Sequence, residues 1–285
     1  MTGILLSLIP LFTWGIGDYV ASRLSKHHPV VVNFGWSIVF LSYALVLTVL
    51  FGYELPSLNI MLAHIFAAIM LNGGFMIMLK AFSTGAVGVV SPIANAYGVI
   101  TALGSLVILD VKISGIGWLA IGIITAGIAM LSYKKGASSH PQRISTQTIV
   151  YSVVALVMFG IGFMMFDVAT QSQEWHQGFI VFSQASVFVS GIIFLLFTRS
   201  NRLNAVKSIL TRKLLYIGAL TSGSGTVAIF AAIQSVGNAT IPAVVSAASP
   251  LVTSFLAFSL DKEQLSILQR AGAVVVVAGI MLLSL

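Results

Sequence analysis

YGVITALGSLVILDVKISGIGWLAIGIITAGIAML, residues 97–131, and SPLVTSFLAFSLDKEQLSILQRAGAVVVVAGIMLL, residues 249–283, align without a gap at a fixed offset. Each begins at a helix-breaking residue and continues through a membrane-length apolar stretch, a polar turn and a second apolar stretch. The identities are Thr101 with Thr253, Ser114 with Ser266, Ala126-Gly127-Ile128 with Ala278-Gly279-Ile280, and Leu131 with Leu283. A second echo lies nearer the start of each half, where Trp14-Gly15-Ile16-Gly17 reads against Phe159-Gly160-Ile161-Gly162. Internal repetition of this kind builds many secondary carriers, with the transport site where the repeats meet.

Composition supports that reading. The 285 residues are 58% hydrophobic and 7% charged, against roughly 25% charged in a soluble domain, so most of the surface cannot face water. About 20 mostly apolar residues cross the hydrocarbon as a helix, and ten such stretches run 3–21, 30–51, 60–79, 87–109, 115–133, 148–166, 179–198, 214–235, 241–260 and 267–285. The expected fold is therefore an all-α membrane protein: a first five-helix repeat over 1–133, a hydrophilic linker over 134–147 and a second repeat over 148–285. Because five is odd, the second repeat enters from the opposite side, which gives inverted topology.

Thirteen of the 14 Lys and Arg fall on one side of this arrangement, leaving Lys112 opposite. The basic residues read as topology signals that place both termini outside the cytoplasm, not as a nucleic-acid surface. The first apolar run lacks a basic leader and continues past Trp14, so it is expected to be the first span. With 0 Cys there is no thiol nucleophile or thiolate metal site. The His are scattered and the only close pair, His27-His28, is adjacent in sequence, so no metal site is indicated. No phosphate-cradling loop appears, no cofactor is expected, and uphill transport would draw on a gradient.

Asp18 is the one acid well inside an expected span, where a charge costs several kcal/mol unless it faces a wet cavity or a partner. It can bind a substrate cation or take up a coupling proton; the plain alternative is an interfacial acid near Arg23. Asp167 and Glu174 read as solvated acids at the end of the sixth span, and Glu54, Asp110, Asp261 and Glu263 as loop acids. The fourth span opens with Gly88, Ser91, Pro92, Asn95, Tyr97 and Gly98, and the ninth with Asn238, Pro242, Ser246, Ser249 and Pro250. Interrupted segments in corresponding positions of two halves point to a carrier's binding site, although small residues also let helices pack closely.

Asn72 in the third span needs more than packing, because its amide must be satisfied without water; Ser183 and Gln184 in the seventh pose the same question. Trp14 lies one turn from Asp18. With Trp36 and Tyr97 it can frame a cationic substrate, while anchoring at the bilayer interface is the other reading of such rings. The expected binding set is Trp14, Asp18, Trp36, Asn72, Asn95, Tyr97, Gln184 and Ser249, with Asp18 also the coupling candidate.

The layout resembles the drug/metabolite transporter superfamily, in particular its EamA-type carriers. The resemblance rests on Trp14-Gly15, on the Ala81 and Ala232 ends of the third and eighth spans, and on the turn Leu260-Asp261-Lys262-Glu263-Gln264-Leu265-Ser266. In the first half Val111 stands where that family often has Glu, and Gly98 where Pro is usual. The resemblance implies a central cavity for a small organic solute such as an amino acid, amine, sugar or drug, in the plasma membrane of a bacterium or archaeon, with export as the direction.

A rival reading is enzymatic. Gly15-Ile16-Gly17-Asp18 resembles the Gly-x-Gly-Asp signature of intramembrane aspartyl proteases, with Asp167 as the second carboxylate of a shared-proton pair. A non-catalytic membrane scaffold is a third. The reading preferred from the sequence is a non-enzymatic secondary transporter in the lipid bilayer, working as a monomer by alternating access, with its solute and protons as partners.

Overall fold

In the computed structural model the described residues are 2–108, 110, 112–132, 145–170, 173–198, 202–262 and 266–283. Every regular element among them is helical. The first half comprises α1 (Thr2–Leu24), α2 (Pro29–Phe51), α3 (Leu58–Thr84), α4 (Val87–Asn95), α5 (Tyr97–Ile108) and α6 (Gly115–Ser132). The second comprises α7 (Thr146–Thr170), α8 (Trp175–Phe197), α9 (Arg202–Leu210), α10 (Lys213–Val236), α11 (Thr240–Ser246), α12 (Pro250–Asp261) and α13 (Ile267–Leu282).

Eight of these segments are long and apolar enough to cross a membrane, counting α4 with α5 and α11 with α12 as one each. The fifth and tenth expected spans are shorter apolar helices, Gly115–Leu131 and Ile267–Leu282. At 1.5 Å per residue, 16 residues rise about 24 Å, less than the roughly 30 Å hydrocarbon thickness. The fourth and ninth expected spans are broken at the expected places, at Ala96 and between Ser246 and Pro250. The basic stretch after the seventh span contains α9, which was not anticipated. Most of the expected linker, residues 134–144, lies outside the described residues, as do Val111 and Glu263.

The main helix pairings all cross between the halves: α1 with α10, α3 with α7, α2 with α8 and α6 with α13. Exchanging the halves turns α1·α10 into α7·α3, and leaves α2·α8 and α6·α13 as themselves. The weaker pairs obey the same exchange, α1·α11 with α7·α4 and α1·α12 with α7·α5. The two repeats are therefore interdigitated around an approximate two-fold axis.

Atomic detail explains the identities that carried the sequence alignment. Thr253 Oγ1 donates to the Gly15 carbonyl at 2.9 Å, and its counterpart Thr101 Oγ1 donates to the Gly160 carbonyl at 3.3 Å. Both glycines admit that approach because a Cβ would lie 2.6 Å from the Cβ of Val252 at Gly15 and of Ile100 at Gly160. Ser114 and Ser266 open matching helices: Ser114 Oγ accepts from Gly117 N at 3.0 Å, and Ser266 Oγ from Gln269 N at 3.2 Å. Each hydroxyl satisfies a first-turn donor that the helix leaves unpaired. In the turns before them, Asp110 and Lys262 share a left-handed backbone, with φ of 52° and 56°.

At the C-terminal end of α1 the halves are tied by an ion pair between Arg23 and Asp261, which also accepts from Tyr19 Oη at 3.0 Å. Both side chains are partly exposed, so the pair contributes no more than about 1 kcal/mol. Asp261→Ala is accordingly expected to leave the melting temperature of the purified protein nearly unchanged. Labelling of a cysteine placed at Ser22 should rise, because both bonds holding this end of α1 to α12 are lost. Unchanged labelling would show that Arg23–Asp261 does not hold the end closed.

Candidate functional site

Between the two halves lies a cavity of about 150 Å³, close to the size that accepts a benzene-sized solute. Its wall is rich in aromatic rings and includes Trp14, Trp36, Phe75, Tyr97, Phe163 and Phe182. Among the described residues of that wall Asp18 is the one carboxylate, and none is Lys, Arg or His.

α1 carries Asp18 to this wall, and α4 supplies its partners. Ser91 and Asn95 stand one turn apart, so both reach the same carboxylate oxygen: Asn95 Nδ2 donates to Asp18 Oδ2 at 2.6 Å and Ser91 Oγ at 2.9 Å. Asn95 Nδ2 also donates to the Ser91 carbonyl at 3.0 Å. Among the described residues no hydrogen bond reaches Asp18 Oδ1, and the side chain lines the cavity. The helix break after Asn95 is what lets the chain turn from these two polar residues to Tyr97 within two positions.

Tyr97 is buried with its ring stacked on Phe163, centroids 4.5 Å apart and planes 7° from parallel. Its hydroxyl pairs with Ser246 Oγ at 3.0 Å. Trp14 meets the same Phe163 edge-on at 5.5 Å, and its indole N–H donates to the Ser222 carbonyl at 3.1 Å. Phe163 stands where the second half's echo has a ring in place of Asp18. The positions that the repeat makes equivalent thus converge on one cavity, one as an acid and the other as an aromatic ring. Trp36 lines the opposite part of the wall against Phe75, at 5.0 Å.

Asn72 also lines the cavity, and its amide is satisfied across three helices. Nδ2 donates to Ser186 Oγ at 3.0 Å and to the Ala68 carbonyl at 2.8 Å, while Oδ1 accepts from Ser37 Oγ at 3.2 Å. The amide that had to be satisfied without water is thus met by interhelical bonds at the cavity wall. Two expected members lie elsewhere. Gln184 is exposed on the outer side of α8, because in a helix whose opposite face carries Phe182 and Ser186 to the cavity, residue 184 faces away. Ser249 is buried in the break between α11 and α12, behind the wall, and Ser183 is buried without lining the cavity.

Asp167 corrects a second expectation. It lies inside α7, which continues to Thr170, and is fully buried with Ser105 Oγ donating to it at 3.3 Å. The helix does not stop at the first charged residue, because interhelical polar contacts meet the carboxylate there. Asp167 is not among the described residues that line the cavity with Asp18. Asp18 is held by Ser91 and Asn95 of α4 and Asp167 by Ser105 of α5, on opposite sides of the break at Ala96.

Sequence reading missed Asn33, Ser37, Phe75, Phe163 and Ser186 as wall residues. Asn33 had a usable signal, being an amide inside an apolar span like Asn72. It is 3% exposed, and its Nδ2 donates to nothing among the described residues. The rings had none, since Phe in a membrane helix reads as lipid-facing or core until the fold is known. No cluster of three or more metal-ligating side chains occurs among the described residues.

Beyond the cavity, towards the C-terminal end of α7, lies a wider polar hollow lined by Glu54, Thr170, Gln173, Glu174, Gln177 and Gln234. Four phenylalanines separate the two spaces. Phe166 contacts Phe230 at 4.6 Å and Phe182 at 4.8 Å, and Phe179 meets Phe230 at 6.1 Å. α7, α8 and α10 each pass from a cavity residue through this aromatic layer to a residue of the hollow, as in Phe163, Phe166 and Thr170.

Comparison with known proteins agrees with this architecture. The chain matches the EamA-like transporter family over residues 1–133 and 146–285, and it belongs to that family, whose carriers form part of the drug/metabolite transporter superfamily. Among solved structures, one described only as "Crystal structure of protein" is 12% identical and aligns with a TM-score of 0.65 over 99% of this chain and 96% of its own. That likeness is one of fold. Among curated proteins, none matches the chain significantly. The protein is thus a multi-pass membrane protein of two-repeat transporter architecture.

Proposed function

We propose that this protein is a secondary carrier that moves a small polar or amphipathic metabolite, such as an amino acid or amine, across the plasma membrane of a bacterial or archaeal cell. The observation that carries this reading is a cavity between two interdigitated repeats, with one buried carboxylate among aromatic rings. A buried acid of this kind marks a substrate or proton pathway, and a site at a repeat interface suits alternating access. The topology that goes with it has ten crossings as two inverted repeats, 1–133 and 148–285, joined by 134–147. Both termini are extracytoplasmic, following the Lys and Arg bias. A self-contained pair of repeats forms its cavity without a second copy, which supports a monomer. Export is the direction, with Asp18 as the site of proton coupling.

Purified protein in liposomes, given a panel of neutral amino acids, amines, sugars and nucleosides at two pH values, tests the reading. Saturable uptake of one class is expected. No flux of any solute by folded protein would remove the carrier reading and favour the scaffold.

In this mechanism the phenylalanine layer is the barrier between cavity and polar hollow. Phe166→Ala with Phe230→Ala removes two rings from a four-ring contact. The double variant is expected to let a small cysteine reagent, added from the side of the hollow, reach a cysteine placed at Thr226 at least tenfold faster. An unchanged labelling rate would place the barrier elsewhere.

A further inference from the structure

We propose that the solute held in the central cavity is a small organic cation, an ammonium-type head on an apolar body, with Asp18 taking the charge and the rings of Trp14, Tyr97 and Phe163 taking the body. The proposal rests on the carrier reading and names its substrate class.

Charge decides the sign. Among its described residues the wall holds one carboxylate and no Lys, Arg or His, so an anionic solute would stand beside a like charge in a medium of low dielectric. A zwitterion would neutralise Asp18 but leave its own carboxylate facing neutral amides and hydroxyls. An ammonium pairs with Asp18 and brings no charge of its own that lacks a partner.

Geometry decides the place. Both protein donors, Asn95 Nδ2 and Ser91 Oγ, go to Oδ2, and among the described residues Oδ1 accepts nothing. The carboxylate is therefore fixed in orientation by one oxygen and open to a ligand at the other. The aromatic residues are likewise committed at their polar ends: the Trp14 N–H to the Ser222 carbonyl and the Tyr97 hydroxyl to Ser246. What they offer the cavity is ring surface, which attracts a cation through the quadrupole and covers an apolar body by contact. Asn33 adds an independent sign that the wall is built toward a ligand. Its buried Nδ2 donates to nothing among the described residues, and it provides a donor for an uncharged oxygen on that body.

Butylammonium, 1-butanol, butanoate and the zwitterion 2-aminobutanoate, four probes of similar bulk and different charge, test the proposal. Binding is read as the change in intrinsic tryptophan fluorescence of the detergent-purified protein, since Trp14 and Trp36 line the cavity. Butylammonium is expected to bind at least tenfold more tightly than the other three. Asp18→Asn should lose that advantage with its melting temperature unchanged. Equal binding of 1-butanol or 2-aminobutanoate, undiminished cation binding by Asp18→Asn, or no binding of any probe would each overturn the proposal. Flux of radiolabelled probes in liposomes separates the two claims. Cation binding without flux sinks the carrier reading and leaves the ligand class standing. Saturable 2-aminobutanoate flux that butylammonium does not inhibit keeps the carrier and sinks the class.

Discussion

Asp18→Asn is expected to reduce solute flux in liposomes by about 10- to 100-fold at equal protein density, with melting temperature and detergent elution unchanged. Asparagine matches aspartate in size and retains an oxygen that accepts from Asn95 and Ser91, so the link between α1 and α4 persists. What is lost is charge, and with it the strong contact to a cation or proton at Oδ1. Hydrogen bonds involving a charged group contribute about 1.5–3 kcal/mol, and each 1.4 kcal/mol is tenfold. Asn95→Ala and Ser91→Ala should give smaller losses, since each removes one of two donors that orient the same oxygen and leaves the charge in place. The ordering discriminates between readings. If Asn95→Ala were as damaging as Asp18→Asn, orientation would be the carboxylate's main contribution. If Asp18→Asn transported at the parental rate, neither substrate binding nor proton coupling could run through this residue.

How much of this was legible in the sequence depends on what kind of signal each part leaves. The repeat was legible because its identities are backbone necessities. Thr101 and Thr253 each reach a glycine carbonyl in the other half, and Ser114 and Ser266 each hold a helix start. The break in the ninth span was legible because Pro250 cannot continue a helix, whereas in the fourth Pro92 only flagged the region, since it lies inside α4 and the break follows at Ala96. Polar wall residues left a signal of cost, which pointed to Asp18, Asn72 and Asn95. That signal failed for Asp167, because a solvated loop acid and a buried, bonded one look alike when the end of the span is uncertain. It also failed for Gln184, where the cost was real but the direction along the helix was unknown. The phenylalanines that make up much of the wall and the barrier left no signal at all. An aromatic ring is equally at home against lipid, in a core or around a ligand, and only the pairing of α7 with α3 and α10 with α1 decides which.

The second large effect is expected where the halves meet backbone to backbone, between α6 and α13. On α6, a Cβ at Gly127 would lie 2.8 Å from the Gly272 carbonyl oxygen and 2.8 Å from the Val276 backbone nitrogen of α13. At Gly279, its repeat counterpart, a Cβ would lie 3.0 Å from the Ile124 backbone nitrogen. These neighbours are backbone atoms of packed helices and cannot turn aside as a side chain can. In a bilayer such contacts also matter more than burial of apolar surface, because lipid tails are as apolar as the helices they would replace. Gly127→Leu should therefore force α6 and α13 apart over their whole length, at a cost of about 3 kcal/mol or more, beyond ordinary overpacking of a core. Gly122→Leu supplies the control. It lies on the same helix with nothing within 4 Å of its added Cβ, so it changes hydrophobicity equally without meeting a partner. The expected result is a melting temperature in detergent that falls sharply for Gly127→Leu and stays at the parental value for Gly122→Leu. Equal melting of the two variants would mean that α6 and α13 are not held by this close approach. The paired shorter helices would then be free to move apart without loss of the fold.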